Sequence, residues 1–311
     1  MTQFPRERIF YVTTFGPITM IDLHVHTTNS DGTLTPGEVV SFAAATGLRA
    51  IAITDHDTVA GVGEAQRAGT QVGLEVVSGV EISAQSYRGI LHILGYFVRP
   101  DHSELIEVLD TLRQGREERT PKILTKLRGL KLAVSLQEVN EEAAGGVPGR
   151  PHIARVLKRK NYVRTLQEAF DRYLKKGAAA YVPKRKLQPD EALRIIKSAG
   201  GIPVMAHPYS LLGKGAGSLE TLIKRFIPLG LRGIEAYYPK HTPEQTELFL
   251  ELGRKYGLLI TGGTDFHGAN KPDIELGVIP GNSPLPYSLL ESLKEARERR
   301  EDIGEVGWLC S

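Results

Sequence analysis

Residues 21–32 read Ile-Asp-Leu-His24-Val-His26-Thr-Thr-Asn-Ser-Asp31-Gly, an apolar run that ends in alternating histidines and is closed by a carboxylate and a glycine. In an extended strand residues i and i+2 share a face, so His24 and His26 present two imidazoles side by side. Two imidazoles with a carboxylate close behind form a metal-ligand arrangement. The competing reading, two unrelated polar residues at a strand end, would stand if the pair were isolated.

Other segments repeat the design of a β-rich run leading into imidazole or carboxylate. They are Ala50-Ile-Ala-Ile-Thr54-Asp55-His56-Asp57, Ile202-Pro-Val-Met-Ala206-His207-Pro208 and Leu258-Leu-Ile-Thr-Gly-Gly-Thr264-Asp265-Phe266-His267. Val76 to Ile82 adds Glu81, and Gly89 to Gly95 adds His92 on a strand-like run. Imidazole mixed with carboxylate suits borderline divalent ions such as Zn, Mn or Fe. Thiolate chemistry is excluded by a single cysteine, Cys310, which also rules out an intramolecular disulfide.

The elements that must carry these groups alternate. After the first strand, Thr35-Pro36-Gly37-Glu38 supplies an N-cap, a proline at the first helical position and an acidic first turn, for a helix ending near Gly47. A strand over 50–54, a helix over 59–68 and a strand ending at Glu81 follow. From about Pro100 to Pro189 the chain turns charged and helix-periodic, which predicts a helical insertion. Alternation then resumes, with helices at 190–198, 219–228 and 243–256 and strands at 202–206, 233–236 and 258–261. Such β–α alternation predicts mainly parallel strands, and most candidate ligands fall at strand C-terminal ends, where barrel enzymes place their chemistry. The charged stretch from Ser288 to Arg300 reads as a solvated packing helix.

With 311 residues, 41% hydrophobic and 24% charged, the chain can bury a full core. A formal charge of +3 is too small to imply nonspecific nucleic-acid binding, although a local basic patch can hold an anionic substrate. No apolar stretch is long enough to cross a bilayer, so no membrane association is expected. The first residues lack a secretory apolar region, which makes the cytoplasm the expected location.

Taken together, His24-x-His26, Asp31, Asp55-His56-Asp57, Glu81, His92, His207-Pro and Asp265-x-His267 resemble the polymerase and histidinol phosphatase (PHP) family of metal-dependent phosphoesterases, over almost all of the chain after Met20. The insertion carrying Gly149-Arg150-Pro151-His152-Ile153-Ala154 is similar to the branch that contains 3′,5′-nucleoside bisphosphate phosphatases and a 5′–3′ exoribonuclease of short RNA. The resemblance implies an α/β fold, a (β/α)7-like distorted barrel with a helical insertion. Residues 20–99 and 190–311 would form the metal-binding barrel, 100–189 a substrate cap, and 1–19 a leader that relatives lack, unless Met20 is the true start.

It also implies three divalent ions, Mn, Fe or Zn, in a trinuclear site. His24, His26, Glu81 and Asp265 would hold the first, Asp31, His56 and His267 the second, and Glu81, His92 and His207 the third, with Glu81 bridging. Such a cluster lowers the pKa of a bound water and neutralises phosphate oxygens, which permits in-line hydrolysis at neutral pH. Asp55 and Asp57 would either orient a ligand imidazole from behind or cap the helix that follows.

For substrate recognition, Arg116 and Arg119 at i, i+3 share a helix face that could grip a second phosphate or simply be solvated beside Glu117 and Glu118. Arg150 and His152, at a glycine-rich entry into a helix where amide groups are offered to an anion, are the better candidates. Lys184, Arg185 and Lys186 read as a solvated charge run or as part of the same mouth. The expected partner is a small phosphorylated substrate, a nucleoside bisphosphate or a short RNA, with no obligate protein partner. The leading expectation is hydrolysis of the 3′-phosphate of nucleoside 3′,5′-bisphosphates with 5′–3′ trimming of short RNA. The alternatives are another small phosphate ester such as histidinol phosphate, or a nonenzymatic polymerase-associated module.

Overall fold

A computed structural model describes residues 20–86, 89–143, 148–212, 217–281 and 284–306, without the side chains of 116, 117, 217, 218 and 300–306. The 1–19 segment and Cys310 lie outside the described residues.

The hydrophobic runs that precede the candidate ligands become the staves of one seven-stranded sheet in sequence order. The strands are β1 (Met20–Val25), β2 (Leu48–Ile53), β3 (Glu75–Ala84), β4 (Leu91–Tyr96), β5 (Ile202–Met205), β6 (Gly233–Tyr237) and β7 (Leu259–Gly262). β1, β2 and β3 pair in parallel, as do β5, β6 and β7. β4 is antiparallel to both of its neighbours, a reversal that β–α alternation does not predict. The sheet curls until a parallel bridge joins Val25 to Phe266, with the His26 amide donating to the Phe266 carbonyl at 3.0 Å. The result is a distorted (β/α)7-like barrel.

The helices are α1 (Pro36–Ala45), α2 (Val62–Val72), α3 (Ser103–Glu117), α4 (Arg119–Gly129), α5 (Leu136–Ala143), α6 (Arg150–Arg159), α7 (Leu166–Ala169), α8 (Pro189–Ser198), α9 (Gly217–Phe226), α10 (Pro243–Tyr256) and α11 (Ser288–Val306). Thr35 and Glu38 form the reciprocal capping box that starts α1, worth about 1 kcal/mol. α2 begins three residues later than the pattern predicts. The chain first turns through Asp57 at φ 56°, and Gly61, not Asp57, is the N-cap. β3 also continues past Glu81 to Ala84, because its far half pairs with β4 as a hairpin.

Alternation along the strands sorts the core into layers. Ile21, Leu23, Ala50, Ala52, Leu94 and Val204 fill the barrel interior, and Leu290 and Leu293 of α11 close that cluster. The charged C-terminal helix is therefore a plug with a buried apolar edge. Val25, Ile51, Ile53 and Ile82 belong instead to the outer layer against α1, α2 and α8. On β1 the change of face between Leu23 and Val25 coincides with a register shift between Asp22 and Val25, the kind of irregularity that re-aims side chains.

Within the expected insertion, Leu105, Leu109 and Leu112 of α3 pack into this outer barrel layer. The separately cored part starts at α4: Ile123, Leu127, Val139, Ile153, Leu157 and Leu174 form their own cluster. The chain returns to the barrel where Leu187 bridges Ala84.

Candidate metal centre

Glu81, fully buried on β3, is the hub. Its Oε2 lies 2.9 Å from His56 Nδ1, 3.2 Å from His26 Nε2 and 3.3 Å from His24 Nε2. Its Oε1 lies 2.6 Å from His92 Nδ1 and 2.8 Å from His207 Nε2. Asp265 Oδ1 adds contacts of 3.2 Å to His26 Nε2 and 3.5 Å to His24 Nε2. Asp31 Oδ1 lies 3.2 Å from His267 Nε2 and 3.8 Å from His26 Nδ1.

All nine expected ligand residues thus lie in one contiguous cluster. Three donor groups emerge: His24, His26, Glu81 and Asp265; His26, Asp31, His56 and His267; and His56, Glu81 and His92. The groups overlap more than the expected sets, since His26 and His56 each serve two. His207 joins the last through Glu81 Oε1 and through His92 Nδ1, 3.3 Å away.

The arrangement fits cations better than hydrogen bonding. Glu81 Oε2 and Asp31 Oδ1 are buried and make no hydrogen bond of acceptable geometry, although ring nitrogens surround them. Buried carboxylate oxygens left this way are costly unless a cation accepts their lone pairs. The electrostatics agree. Burial works against charge on Glu81, yet His56, His92 and His24 hold its carboxyl well below the usual range. Burial likewise opposes the His26 imidazolium, but the Asp265 and Glu81 carboxylates beside it raise its pKa to about 9. Burial drives His56 down to about 3, despite the opposing pull of Glu81 and Asp31.

The fold delivers the ligands in different ways. His24 lies within the shifted stretch of β1, and His26 follows the strand directly. His92 lies at the start of β4, and because that strand runs backwards its N-terminal end meets the C-terminal ends of the others. His207 and Asp265 follow β5 and β7 in conformations rare for residues other than glycine, at φ 24° and 56°. Strained residues of this kind persist only where surrounding structure fixes them. Gly263 is required for another reason: a Cβ there would sit 2.4 Å from the His24 backbone nitrogen.

The supporting residues are less legible in the sequence. Asp55 accepts from the Thr27 amide at 2.7 Å and from Ser30 Oγ at 2.5 Å, and that hydroxyl lies 3.3 Å from His26 Nδ1. Asp55 therefore reaches a ligand imidazole through Ser30. Asp57 accepts from the Ser83 amide at 2.7 Å and pairs with Lys184 at 2.7 Å. Of the two roles open to Asp57, helix capping is not realised, because Gly61 is the N-cap of α2.

Sequence reasoning missed Glu235, Tyr238 and Lys271. Tyr238 donates to Asp265 Oδ2 at 2.9 Å, and Lys271 pairs with the same oxygen, which leaves Oδ1 facing the imidazoles. Glu235 lies 2.9 Å from His24 Nδ1. A lone carboxylate in the apolar strand run Gly-Ile-Glu-Ala-Tyr was the available signal for it.

Of the expected substrate residues, Arg119 donates from Nε to the Val182 carbonyl at 2.8 Å. Arg150 donates to the Leu174 carbonyl at 3.2 Å. The Arg116 side chain lies outside the described residues. Nearly buried His152 accepts the Gly149 amide on Nδ1 at 2.9 Å, so it caps α6 from within. Burial, with Arg155 beside it, depresses His152 to about 4. Lys186 is depressed by burial and by the like charges of Arg119, Arg150 and Lys176, with Asp57 opposing. Lys184 also bears on His92. Lys184, paired with Asp57, is thus the cation of the insertion that bears on a metal-binding group, and Lys186 shares Asp57 with it.

Known proteins are similar to this chain. The PHP domain model matches residues 22–182. The chain is 35% identical to a 5′-3′ exoribonuclease of Haemophilus influenzae, over 79% of this chain and 89% of that protein. It is 32% identical to a 3′,5′-nucleoside bisphosphate phosphatase of Chromobacterium violaceum, over 89% and 97%. A solved structure of an amidohydrolase from Chromobacterium violaceum with bound sulfate superposes with a TM-score of 0.77 at 31% identity, covering 90% of this chain and 97% of that one. With that coverage, and with a buried carboxylate–imidazole cluster built for cations, the chain belongs to the PHP-domain family and is a metal-dependent phosphoesterase.

Proposed function

We propose that the enzyme removes the 3′-phosphate of nucleoside 3′,5′-bisphosphates, and that it trims short 5′-phosphorylated RNA with the same chemistry. One observation carries this reading. Arg119, Arg150 and Lys176 surround Lys186, which also feels Asp57, and Asp57 pairs at 2.7 Å with Lys184, the cation that bears on His92, so this reading lets one substrate with two phosphates span the cluster and the cations of the insertion. In this reading the insertion is the substrate cap, and His24, His26, Asp31, His56, Glu81, His92, His207, Asp265 and His267 hold three ions, Mn, Fe or Zn. When bound, such ions supply Lewis-acid charge neutralisation at the scissile phosphate and a nucleophilic water at neutral pH.

The chain's own groups do the rest. Glu81 offers one oxygen to each side of the cluster and bridges it. Arg119 and Arg150, fixed by backbone carbonyls, present guanidinium groups suited to a phosphate by geometry as well as charge. Lys184 leans over the rim on Asp57, beside His92, where it adds positive charge near the reacting phosphate. Arg155 donates to Asn270 Oδ1 at 2.6 Å, and Asn270 donates to the Asp31 carbonyl at 2.7 Å, so the cap is tied directly to a ligand-bearing loop. No helix among the described residues is long and apolar enough to cross a membrane, and a nucleotide substrate fits the cytoplasm.

The test is a phosphate-release screen with Mn, Fe or Zn across nucleoside 3′,5′-bisphosphates, nucleoside 5′-monophosphates, histidinol phosphate and short RNAs. The bisphosphates are expected to lead. Equal turnover of bisphosphates and monophosphates, or a preference for histidinol phosphate, would refute the reading.

A further inference from the structure

Glu235 is a fully buried carboxylate in the middle of β6. Such a group is retained only where its oxygens are well hydrogen-bonded, and both of them are. Oε1 lies 2.9 Å from His24 Nδ1, and Oε2 accepts from the His207 backbone amide at 2.6 Å. Neither oxygen belongs to a donor group of the metal centre. His24 is on β1 and His207 follows the neighbouring strand β5, so one side chain joins two proposed ligands that come from strands not adjacent in the strand order.

We propose that Glu235 is a positioning residue that sets both ligands at once. A carboxylate cannot donate, so the bond to His24 requires the proton on Nδ1. That leaves Nε2 as the nitrogen turned toward Glu81 Oε2 at 3.3 Å and Asp265 Oδ1 at 3.5 Å. The second oxygen clamps the amide of His207, whose φ of 24° the backbone would otherwise abandon, and so aims that ring at Glu81. Carboxylate-backed imidazoles are also more basic ligands. The proposal rests on the cluster binding metal and not on the nature of the substrate.

A purely structural role predicts different behaviour on substitution. Glu235→Gln keeps the shape but turns an NH2 group toward one of two N–H donors, so it spoils one ligand's orientation with little change in volume. Metal titration of the chelator-stripped protein with zinc should show binding weakened by roughly 10- to 100-fold. Activity should return at high metal. A lower melting temperature with unchanged zinc affinity would overturn the proposal. A measurement on the unmodified protein guards against a variant that fails to fold. In the zinc-loaded form, nitrogen-15 spectra should show His24 protonated at Nδ1 with Nε2 carrying the metal shift, and a proton on Nε2 would overturn the assignment directly.

Discussion

Arg150→Ala separates substrate grip from chemistry, and the structure fixes what it should cost. Arg150 opens α6, donates to the Leu174 carbonyl and lies 5.8 Å over the Phe170 ring, so its guanidinium is held by the insertion and not by the metal-binding groups. If it binds the phosphate remote from the scissile one, removing this charge-assisted contact should cost about 1.5–3 kcal/mol, or about 10- to 150-fold in kcat/KM. A nucleoside 3′,5′-bisphosphate has that second phosphate and an aryl monophosphate does not. The loss should therefore fall on the first substrate alone. Truncation also removes the bond to Leu174, which should lower the melting temperature of the insertion. Taking the ratio of kcat/KM for the two substrates on one preparation cancels any inactive fraction. Arg150→Lys should fall between, because it keeps the charge and loses the fork. An equal loss on both substrates would move Arg150 out of the specificity site and weaken the bisphosphate reading itself.

Three further outcomes follow from the same geometry. Fully active enzyme should contain more than one transition-metal ion per chain by elemental analysis and lose turnover to chelators, and activity persisting in metal-stripped protein would contradict the site. His24→Ala should abolish turnover and also destabilise the fold, by something on the order of 3–5 kcal/mol, since it leaves buried Glu235 without its imidazole; denaturant melts would register this. His152 is held near 4 in the fold against about 6.5 when unfolded, so its contribution is complete above 6.5 and is lost as pH falls toward 4. His152→Gln keeps a capping acceptor at that position and should flatten this part of the stability profile relative to wild type, as read by helicity melts at matched pH.

Periodicity made the barrel legible because each strand carries its apolar pattern locally, as Ala50 to Ile53 and Ile202 to Met205 do, and capping chemistry marked the start of α1. The ligand residues were legible for a related reason. An imidazole that must project from a strand end has to follow the strand's own alternation, and His24-x-His26 advertises that spacing. The missed features depend on partners distant in sequence. The backward run of β4 is set by its pairing with both β3 and β5, and without that pairing His92 could not be placed in the cluster. The positive φ of Asp57, His207 and Asp265 is stabilised by contacts from Ser83, Glu235 and Tyr238, none of which lies within the local segment. Lys271 and Glu235 looked like ordinary surface or strand residues because their meaning comes from Asp265 and His24 across the barrel. Local pattern thus announces the groups that bind, while the groups that aim them emerge only when the barrel closes and brings β6 and β7 against β1.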